Sequence, residues 1–315
     1  MSAAPVRLGL VGCGRLAERG YVPAARIAAS VQIVAVSDPA RERRALIGGK
    51  LGASVHARLS ELLAATELDG IVVGAASEQH EEVAAAVAQA GLPALVETPP
   101  APTGAGALRI ATLTPASWIG FNRRFDQGRD LARRVPPEGE LDVRMVLHYR
   151  RARWRPVAGG DDALLDIAPH LVDLALYLTK ALPVAVRAQA ARERAGLELA
   201  SARARISIEC ATDLRHHELV EIHDASGRRV ARAERGSRTR EAAARVRPQG
   251  HPLVRSLAAQ LEAYGRALRG GDAGPLATAG EGAAVMRVLD AARRSDAIGG
   301  ETVAVEGVAL RDVGT

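Results

Sequence analysis

The sequence predicts an α/β protein of two domains, and three observations support this prediction. Strand-like and helix-like segments alternate over the first 120 residues, which is typical of a parallel, doubly wound sheet. Beyond residue 180, short alternating segments with a turn at 225–227 indicate an open, mainly antiparallel sheet in a C-terminal α+β domain. A length of 315 residues accommodates two domains of roughly 150 residues each.

Composition narrows the possible classes of protein. Hydrophobic residues are 48% and charged residues 25% of the chain, as in globular proteins, and no apolar run approaches the roughly 20 residues that span a bilayer. The N-terminus enters an apolar run without a basic leader, so we expect a cytoplasmic protein with no membrane partner. Cys13 and Cys210 have no paired spacing and no histidine cluster nearby, so neither a disulfide framework nor a metal site is expected.

The net charge of +6 comes almost entirely from arginine, because lysine occurs only at Lys50 and Lys180. Aromatic residues are only 3% of the chain, too few for a surface that stacks nucleic-acid bases. We therefore expect no nucleic-acid partner and interpret the arginines as a solvated surface. An anionic small-molecule substrate is the alternative explanation.

A glycine loop follows the first predicted strand. The segment Gly12-Cys13-Gly14-Arg15-Leu16-Ala17 has the pattern G-x-G-x-x-A between a strand and a helix. Gly12 permits a tight turn, Gly14 lets the backbone approach a pyrophosphate, and the start of the helix offers N–H donors to the phosphates. The loop predicts a Rossmann dinucleotide-binding domain, with residues 12–16 in contact with the cofactor.

The second predicted strand ends at Asp38, about 20 residues beyond the loop. A carboxylate at this position accepts hydrogen bonds from the adenosine ribose and repels a 2′-phosphate, which favours NAD. Arg41, Arg43 and Arg44 follow closely and can receive such a phosphate, so NADP remains the alternative cofactor.

Other polar or small residues follow later strands of the same sheet. In such sheets ligands bind beyond the carboxyl ends of the strands, where Ala76, His80, Glu97 and Thr98 fall. We therefore predict cofactor contacts from Ala76, His80 and Glu97. A plain position at the start of a helix is an equal alternative for His80.

The segment 159–178 places polar residues within an apolar helical pattern. Asp166, His170 and Asp173 lie at i, i+4 and i+7, which predicts that one face of a single helix carries all three. Burying carboxylates and an imidazole without partners is costly. We interpret the group as part of an active site at the domain cleft; a structural hydrogen-bond network is the alternative.

Taken together, these motifs resemble the glucose-fructose oxidoreductase / inositol dehydrogenase / MocA (Gfo/Idh/MocA) family, and the resemblance runs nearly end to end. It rests on the glycine loop, Asp38 with Pro39, His80, and a Glu-Thr-Pro where the family usually has Glu-Lys-Pro. It continues with the segments GFNRRFD, DIAPHLVD and EGAAVMRVLDAARRS. The resemblance implies an NAD(P)-binding Rossmann domain over 1–119 and a substrate-binding and oligomerisation domain over 120–315, with the last helices packing back on the first domain.

The resemblance also implies an activity and roles for residues. The protein would be an NAD(P)-dependent oxidoreductase that transfers a hydride between nicotinamide and a secondary alcohol or ketone of a sugar, cyclitol or sugar-like, possibly nucleotide-linked, substrate. His170 would exchange the proton of the substrate hydroxyl, for which the ordinary imidazole pKa of about 6.5 is suited. Asp166 would hold the imidazole or bind a neighbouring sugar hydroxyl. Asn122 and Arg123 would lie near the substrate, with surface salt bridging by Arg123 and Arg124 as an equal alternative. The C-terminal sheet would join a homo-oligomer, a dimer or a tetramer.

The main departure from the family is Thr98, which replaces the catalytic lysine. In the family that lysine assists proton transfer, and a charged donor at a developing alkoxide is worth about 2.7–4 kcal/mol. Thr98 can donate one hydrogen bond but carries no charge, and Lys50 and Lys180 fall too far along the chain to substitute. Arg123 and Arg153 can lend charge. Two alternatives therefore stand beside the dehydrogenase: a cofactor-binding non-catalytic or regulatory homologue, and a redox-neutral NAD-using enzyme.

Overall fold

The computed structural model describes residues 4–151, 162–236 and 250–307. The described residues form two compact units. The first unit comprises 4–102, 106–126 and 250–282, and the second comprises 103–105, 127–151, 162–236 and 283–307. The sequence-based domain limits, 1–119 and 120–315, remain a prediction.

The first unit is built on a seven-stranded sheet. Its strands lie in the order β13-β6-β5-β4-β1-β2-β3, and all neighbours pair in parallel except β13 with β6. The central strands are apolar and buried, as expected where helices cover both faces of a parallel sheet. The predicted Rossmann topology is confirmed. The strands are β1 (Val6–Val11), β2 (Val31–Ser37), β3 (Ser54–His56), β4 (Gly70–Val73), β5 (Ala94–Val96), β6 (Trp118–Ile119) and β13 (Ala277–Thr278).

Helices follow these strands in alternation. The glycine loop leads into a π-helical turn at Ala17–Tyr21, and 3-10 turns lie at Ser77–Gln79 and Asn122–Phe125. Gly91, with φ +75°, follows the helix His80–Gln89 in a left-handed conformation that favours glycine. The helices of this part of the chain are α1 (Val22–Ala25), α2 (Arg41–Leu51), α3 (Leu59–Ala65), α4 (His80–Gln89) and α5 (Gly104–Ala111).

A late helix, α9 (Pro252–Leu268), completes the core of the first unit. Its residues Leu257, Leu261 and Tyr264 are buried together with Leu8 of β1. The hydroxyl of Tyr264 donates to the Pro93 carbonyl at 2.8 Å, which satisfies its polar end inside the core. A segment far along the chain thereby covers one face of the first sheet.

The second unit contains another seven-stranded sheet, ordered β12-β11-β7-β10-β9-β8-β14. Only β7 and β10 pair in parallel, so the predicted open, mainly antiparallel sheet is confirmed. The predicted turn at 225–227 is present, because Gly227 has φ +79° and its N–H donates to Asp224 O at 2.9 Å. The strands are β7 (Leu141–Arg150), β8 (Ala185–Ala190), β9 (Arg194–Ala200), β10 (Ala204–Ala211), β11 (Asp213–Asp224), β12 (Arg229–Gly236) and β14 (Val303–Ala304).

The remaining helices are α6 (Gln127–Ala132), α7 (Ala163–Asp166), α8 (Ala168–Thr179) and α10 (Ala279–Ala297). Alternate residues of β9 are buried, so one face of the second sheet is covered and the other is exposed. Of the helices in the described ranges, none combines the length and apolarity needed to cross a membrane.

The prediction that one continuous helix carries Asp166, His170 and Asp173 is wrong in one respect. The helix is interrupted at Ile167, whose φ of −127° and ψ of −27° separate α7 from α8. Pro169 has no N–H to donate to the carbonyl of Leu165, so the hydrogen-bond ladder cannot run through, whereas proline is favourable in the first turn of the new helix. Asp166 therefore ends α7, while His170 lies in α8.

Candidate active site

The glycine loop has the shape that a pyrophosphate requires. Gly12 has φ +93°, and a Cβ at this position would lie 2.5 Å from the Gly74 carbonyl oxygen, so only glycine fits. At Gly14, by contrast, a Cβ would meet no atom within 4 Å. The backbone at Gly14 thus borders open space into which a ligand can approach closely.

Asp38 lies beside this loop at the end of β2. Its Oδ2 accepts the N–H of Cys13 at 2.7 Å, and its Oδ1 accepts the N–H of Ala40 at 2.8 Å. These two bonds fix the carboxylate, and each oxygen keeps acceptor capacity for a ribose hydroxyl. Burial raises the pKa of the Cys13 thiol to about 12, with the Asp38 charge as the second cause, so this thiol is inert.

His80 connects the segments that follow β4 and β5. Its Nδ1 lies 2.9 Å from Pro99 O and its Nε2 lies 3.0 Å from Ala75 O, with only 1% of the side chain surface exposed. Burial lowers the pKa of this imidazole. Ala76 precedes the 3-10 turn beside it. The observed contacts connect His80 to the loop after β4, at Ala75, and to the loop after β5, at Pro99. Contacts of Ala76 and His80 with a cofactor remain predictions.

Glu97 lies deep at the end of β5, with 6% of its surface exposed. The N–H of Thr98 donates to Glu97 Oε2 at 3.2 Å, and the Tyr21 hydroxyl donates to Glu97 Oε1. The Tyr21 hydroxyl in turn accepts a hydrogen bond from Gln260 Nε2 at 3.4 Å. Burial raises the pKa of Glu97 to about 7. Sequence analysis missed Tyr21 and Gln260, since no motif joins residues so far apart.

Thr98 is half-buried beside Glu97, and no lysine of the first unit replaces the missing one. Lys50 forms an ion pair with Glu18, with Nζ 2.8 Å from Oε1. Lys180, in the second unit, lies over the Tyr177 ring at 4.2 Å from its centroid. The proposed arginine substitute Arg153 lies outside the described residues.

In the second unit Asp166 is held by two residues from the end of β7 and just beyond. Arg151 Nε and Nη2 each lie 2.9 Å from Asp166 Oδ2, and the Tyr149 hydroxyl donates to the same oxygen. Arg151 is only 2% exposed and also donates to Asp162 O at 3.0 Å. Burial and the Asp166 charge raise the pKa of Tyr149, which keeps its hydroxyl protonated as a donor. Sequence analysis missed both partners, because β7 carries no motif.

The other polar residues of the segment that forms α7 and α8 lie at the start of α7 or within α8. Asp162 caps α7, its Oδ1 accepting the N–H of Leu165 at 2.7 Å. His170 is half-buried in the first turn of α8, and Asp173 is fully buried further along that helix. Among residues 4–151, 162–236 and 250–307, no three His, Cys, Asp or Glu side chains form a group that could hold a metal ion.

Asn122, one of the predicted substrate residues, forms a hydrogen bond within the first unit. Asn122 Nδ2 donates to Ser256 Oγ of α9 at 3.2 Å. Arg123 is half-buried, whereas its neighbour Arg124 is buried, with Nη1 3.0 Å from Glu281 Oε1. Substrate binding by Asn122 and Arg123 stays a prediction.

The amino-acid sequence also matches a known family. Residues 6–116 match the sequence model of the Gfo/Idh/MocA oxidoreductase family, described as an NAD-binding Rossmann fold. Over these residues the chain is similar to the NAD-binding domain of that family. The recognition made from the motifs is thus confirmed.

Two curated relatives carry the name inositol 2-dehydrogenase. That of Saccharopolyspora erythraea is 30% identical over 181 residues, covering 55% of this chain and 53% of its own length. That of Ralstonia nicotianae is 29% identical over 186 residues, covering 55% and 54%. The chain spans about half the length of the curated relatives it matches.

Solved structures of several other proteins have the same fold. A probable dehydrogenase from Thermotoga maritima has a TM-score of 0.81 at 19% identity, covering 96% of this chain and 100% of its own. The WlbA dehydrogenase from Bordetella pertussis, in complex with NADH and UDP-GlcNAcA, has a TM-score of 0.77 at 21% identity, covering 96% and 99%. An oxidoreductase from Agrobacterium radiobacter with NAD⁺, L-tartaric acid and magnesium has a TM-score of 0.78 at 16% identity, covering 96% and 99%.

Proposed function

We propose that this chain is an NAD-dependent oxidoreductase that transfers a hydride between nicotinamide and a secondary alcohol or ketone. One observation carries the proposal. Beyond the ends of β1 and β2, Gly14 borders open space, and two backbone N–H groups hold the Asp38 carboxylate in place. A dinucleotide needs both features, one for its pyrophosphate and one for its adenosine ribose. The match of residues 6–116 to an NAD-binding family supports the same cofactor.

The chemistry assigns separate tasks to two side chains of the second unit. Bound NAD⁺ supplies the hydride acceptor. His170 takes the proton of the substrate hydroxyl as the carbon loses its hydride and the carbonyl forms, and returns that proton in the reverse direction. Asp166 binds a substrate hydroxyl. Arg151 and Tyr149 both donate to Oδ2 of Asp166, and these bonds fix the orientation of the carboxylate.

The substrate class follows from hydroxyl recognition and is supported by the relatives. The curated relatives described above are named for inositol, and solved structures of the same fold contain a nucleotide sugar or tartaric acid. All of these compounds carry secondary hydroxyls. We therefore assign this chain a sugar, a cyclitol or a sugar-like substrate, with nucleotide-linked sugars included.

The test begins with the cofactor. Calorimetric titration of the purified protein with NAD⁺, NADH, NADP⁺ and NADPH should give micromolar binding of the NAD pair and weaker binding of the NADP pair. Absorbance at 340 nm then follows turnover with inositols, hexoses, sugar acids and nucleotide sugars. Absence of binding for all four nucleotides overturns the proposal.

Thr98 favours a second candidate, a cofactor-binding homologue with a regulatory role or a redox-neutral NAD-using enzyme. The side chain carries no positive charge for a developing alkoxide, and Lys50 is engaged by Glu18. The variant Thr98→Lys separates the candidates once a substrate is found. A large gain in hydride transfer shows that redox chemistry is weakened in the natural chain, whereas no gain shows a site rebuilt around threonine.

We also assign the chain a homo-oligomeric state formed through the second sheet. The exposed face of this sheet carries paired charges across neighbouring strands, including Arg232 with Glu221 at 3.3 Å. Such polar pairs can match a second copy of the same face. Light scattering after size-exclusion chromatography gives the mass directly, and a monomer at all concentrations rules the assignment out.

A further inference from the structure

Arg43 of α2 reaches back to the glycine loop with all three guanidinium nitrogens. Its Nε donates to Cys13 O at 2.8 Å and its Nη2 donates to Gly14 O at 3.0 Å. Its Nη1 lies 3.2 Å from Glu18 Oε2 in the helical segment beyond the loop. One side chain thereby ties both central carbonyls of the loop to the segment that follows.

The contacts of Arg43 with the two carbonyls also orient the N–H groups of the same two peptide bonds. In a planar trans peptide, the carbonyl and the N–H point in opposite directions. Because Arg43 holds the carbonyls of Cys13 and Gly14, the N–H groups of Gly14 and Arg15 are directed away from its guanidinium. These N–H groups are the donors that a pyrophosphate needs at such a loop.

Glu18 keeps Arg43 in this position. The hydrogen bond from Lys50 lowers the pKa of Glu18, so the carboxylate remains charged at neutral pH. Glu18 thus bridges two cations, with Lys50 Nζ at 2.8 Å and Arg43 Nη1 at 3.2 Å. The arrangement is an ion triad built between α2 and the segment after the loop.

The neighbouring arginine is also occupied by backbone carbonyls. Arg44 Nη1 lies 3.2 Å from Asp38 O and 2.9 Å from Pro39 O. Two of the three arginines that follow β2, and that favour NADP in the sequence, therefore donate to main-chain oxygens. Arg43 is therefore oriented toward the glycine loop and Arg44 toward the segment that follows β2.

We propose that Arg43 is a cofactor-positioning residue that holds the dinucleotide loop and supports the binding of NAD and NADP to the same extent. The inference rests on the proposed NAD-dependent function. Arg43 would act through the loop and not as a ligand of a 2′-phosphate. The two roles predict different effects on the two cofactors.

Calorimetric titration of the full chain with NAD⁺ and NADP⁺ tests the proposal on Arg43→Ala, Arg43→Lys and a control. Arg43→Ala should raise the Kd of both nucleotides by the same factor, about tenfold or more, as expected for the loss of charge-assisted hydrogen bonds. Arg43→Lys should recover part of this loss, since an ammonium satisfies only part of the forked contact. The control Arg109→Ala removes an exposed arginine paired with Glu81, whose Oε2 lies 2.8 Å from Arg109 Nη2, and should leave both values unchanged.

The outcomes are distinguishable. A rise in Kd for NADP⁺ alone makes Arg43 a phosphate ligand and overturns the proposal, as does an unchanged Kd for both nucleotides in a folded variant. Unfolding midpoints without nucleotide identify variants that lose their fold. If Arg43→Ala is one of them, Glu18→Gln, which weakens the contacts of Glu18 with Arg43 Nη1 and Lys50 but leaves the bonds of Arg43 to the loop carbonyls, must raise both Kd values in the same proportion for the proposal to stand. If the natural chain binds neither nucleotide, the proposed function itself fails.

Discussion

The polar cluster beside the glycine loop and the cluster around Asp166 are held in different ways. At the ends of β1 and β2, main-chain groups dominate: Asp38 accepts the N–H groups of Cys13 and Ala40, and Arg43 donates to loop carbonyls. In the second unit, side chains hold a side chain, as Arg151 and Tyr149 converge on Asp166. A site built from the main chain needs specific residues at fixed spacing, whereas a site built from side chains needs only that distant residues meet.

The largest expected effect tests the side-chain cluster. Arg151→Met leaves the Asp166 carboxylate without the buried cation that lies 2.9 Å away. Breaking a buried ion pair on one side typically costs about 3–5 kcal/mol, and we expect a loss in this range in urea unfolding followed by circular dichroism.

The matched control is Arg194→Ala, which removes an exposed partner of Asp213 at 3.1 Å. An exposed pair contributes at most about 1 kcal/mol, so the control should unfold close to the natural midpoint. Equal midpoints for the two variants would mean that Arg151 does not anchor the Asp166 cluster.

The next effect concerns Glu97, whose pKa is raised by burial from 4.5 to about 7. Because the folded state holds this proton more tightly than the unfolded state, the free energy of unfolding falls as pH rises from about 4.5 to 7 and then levels off. The loss amounts to about 3 kcal/mol. Glu97→Gln removes the titrating group and should flatten this part of the profile.

Urea midpoints measured between pH 4 and pH 8 give the profile for both proteins. Glu82→Gln, which replaces an exposed carboxylate on α4, serves as the control and should keep the natural slope. A Glu97→Gln variant that retains the full slope would show that Glu97 is ionised in the fold throughout this range.

The smallest effect separates the two loop glycines. Gly12→Ala puts a Cβ at 2.5 Å from Gly74 O on a residue with φ +93°, so we expect a loss of about 2 kcal/mol in stability. Gly14→Ala meets no atom within 4 Å and should keep stability within about 0.5 kcal/mol.

Gly12→Ala and Gly14→Ala should also differ in why they lose NAD⁺ binding: the first because the loop is destabilised, the second because the space beside the loop is filled. Gly14→Ala should weaken binding in a fully stable protein, because its methyl group occupies the space beside the loop. Calorimetry and thermal unfolding on both variants make the comparison. NAD⁺ binding by Gly14→Ala as tight as in the natural chain would remove Gly14 from the proposed pyrophosphate site.

Sequence reasoning succeeded where periodicity or a short motif imposes the structure. The glycine loop, the alternation of strands and helices up to β6, and the turn at Gly227 follow from local pattern and are present. Sequence reasoning failed at Ile167. The i, i+4 spacing alone predicts one continuous helix, but Pro169 interrupts the helical hydrogen bonds there. The predicted site residues of both units remain hypotheses for the binding and kinetic experiments.

Local sequence was sufficient for the Rossmann glycine loop, the class of both sheets and the positions of Gly12, Gly14 and Asp38, because turn geometry and strand burial constrain the residue types within a short window. Long-range packing was needed to reveal that Arg43 is committed to loop carbonyls and that Arg151 grips Asp166. An arginine has the same letter whether it faces a phosphate, a carbonyl or a buried carboxylate. Which partner it meets depends on how distant strands and helices pack, and no spacing along the chain records that.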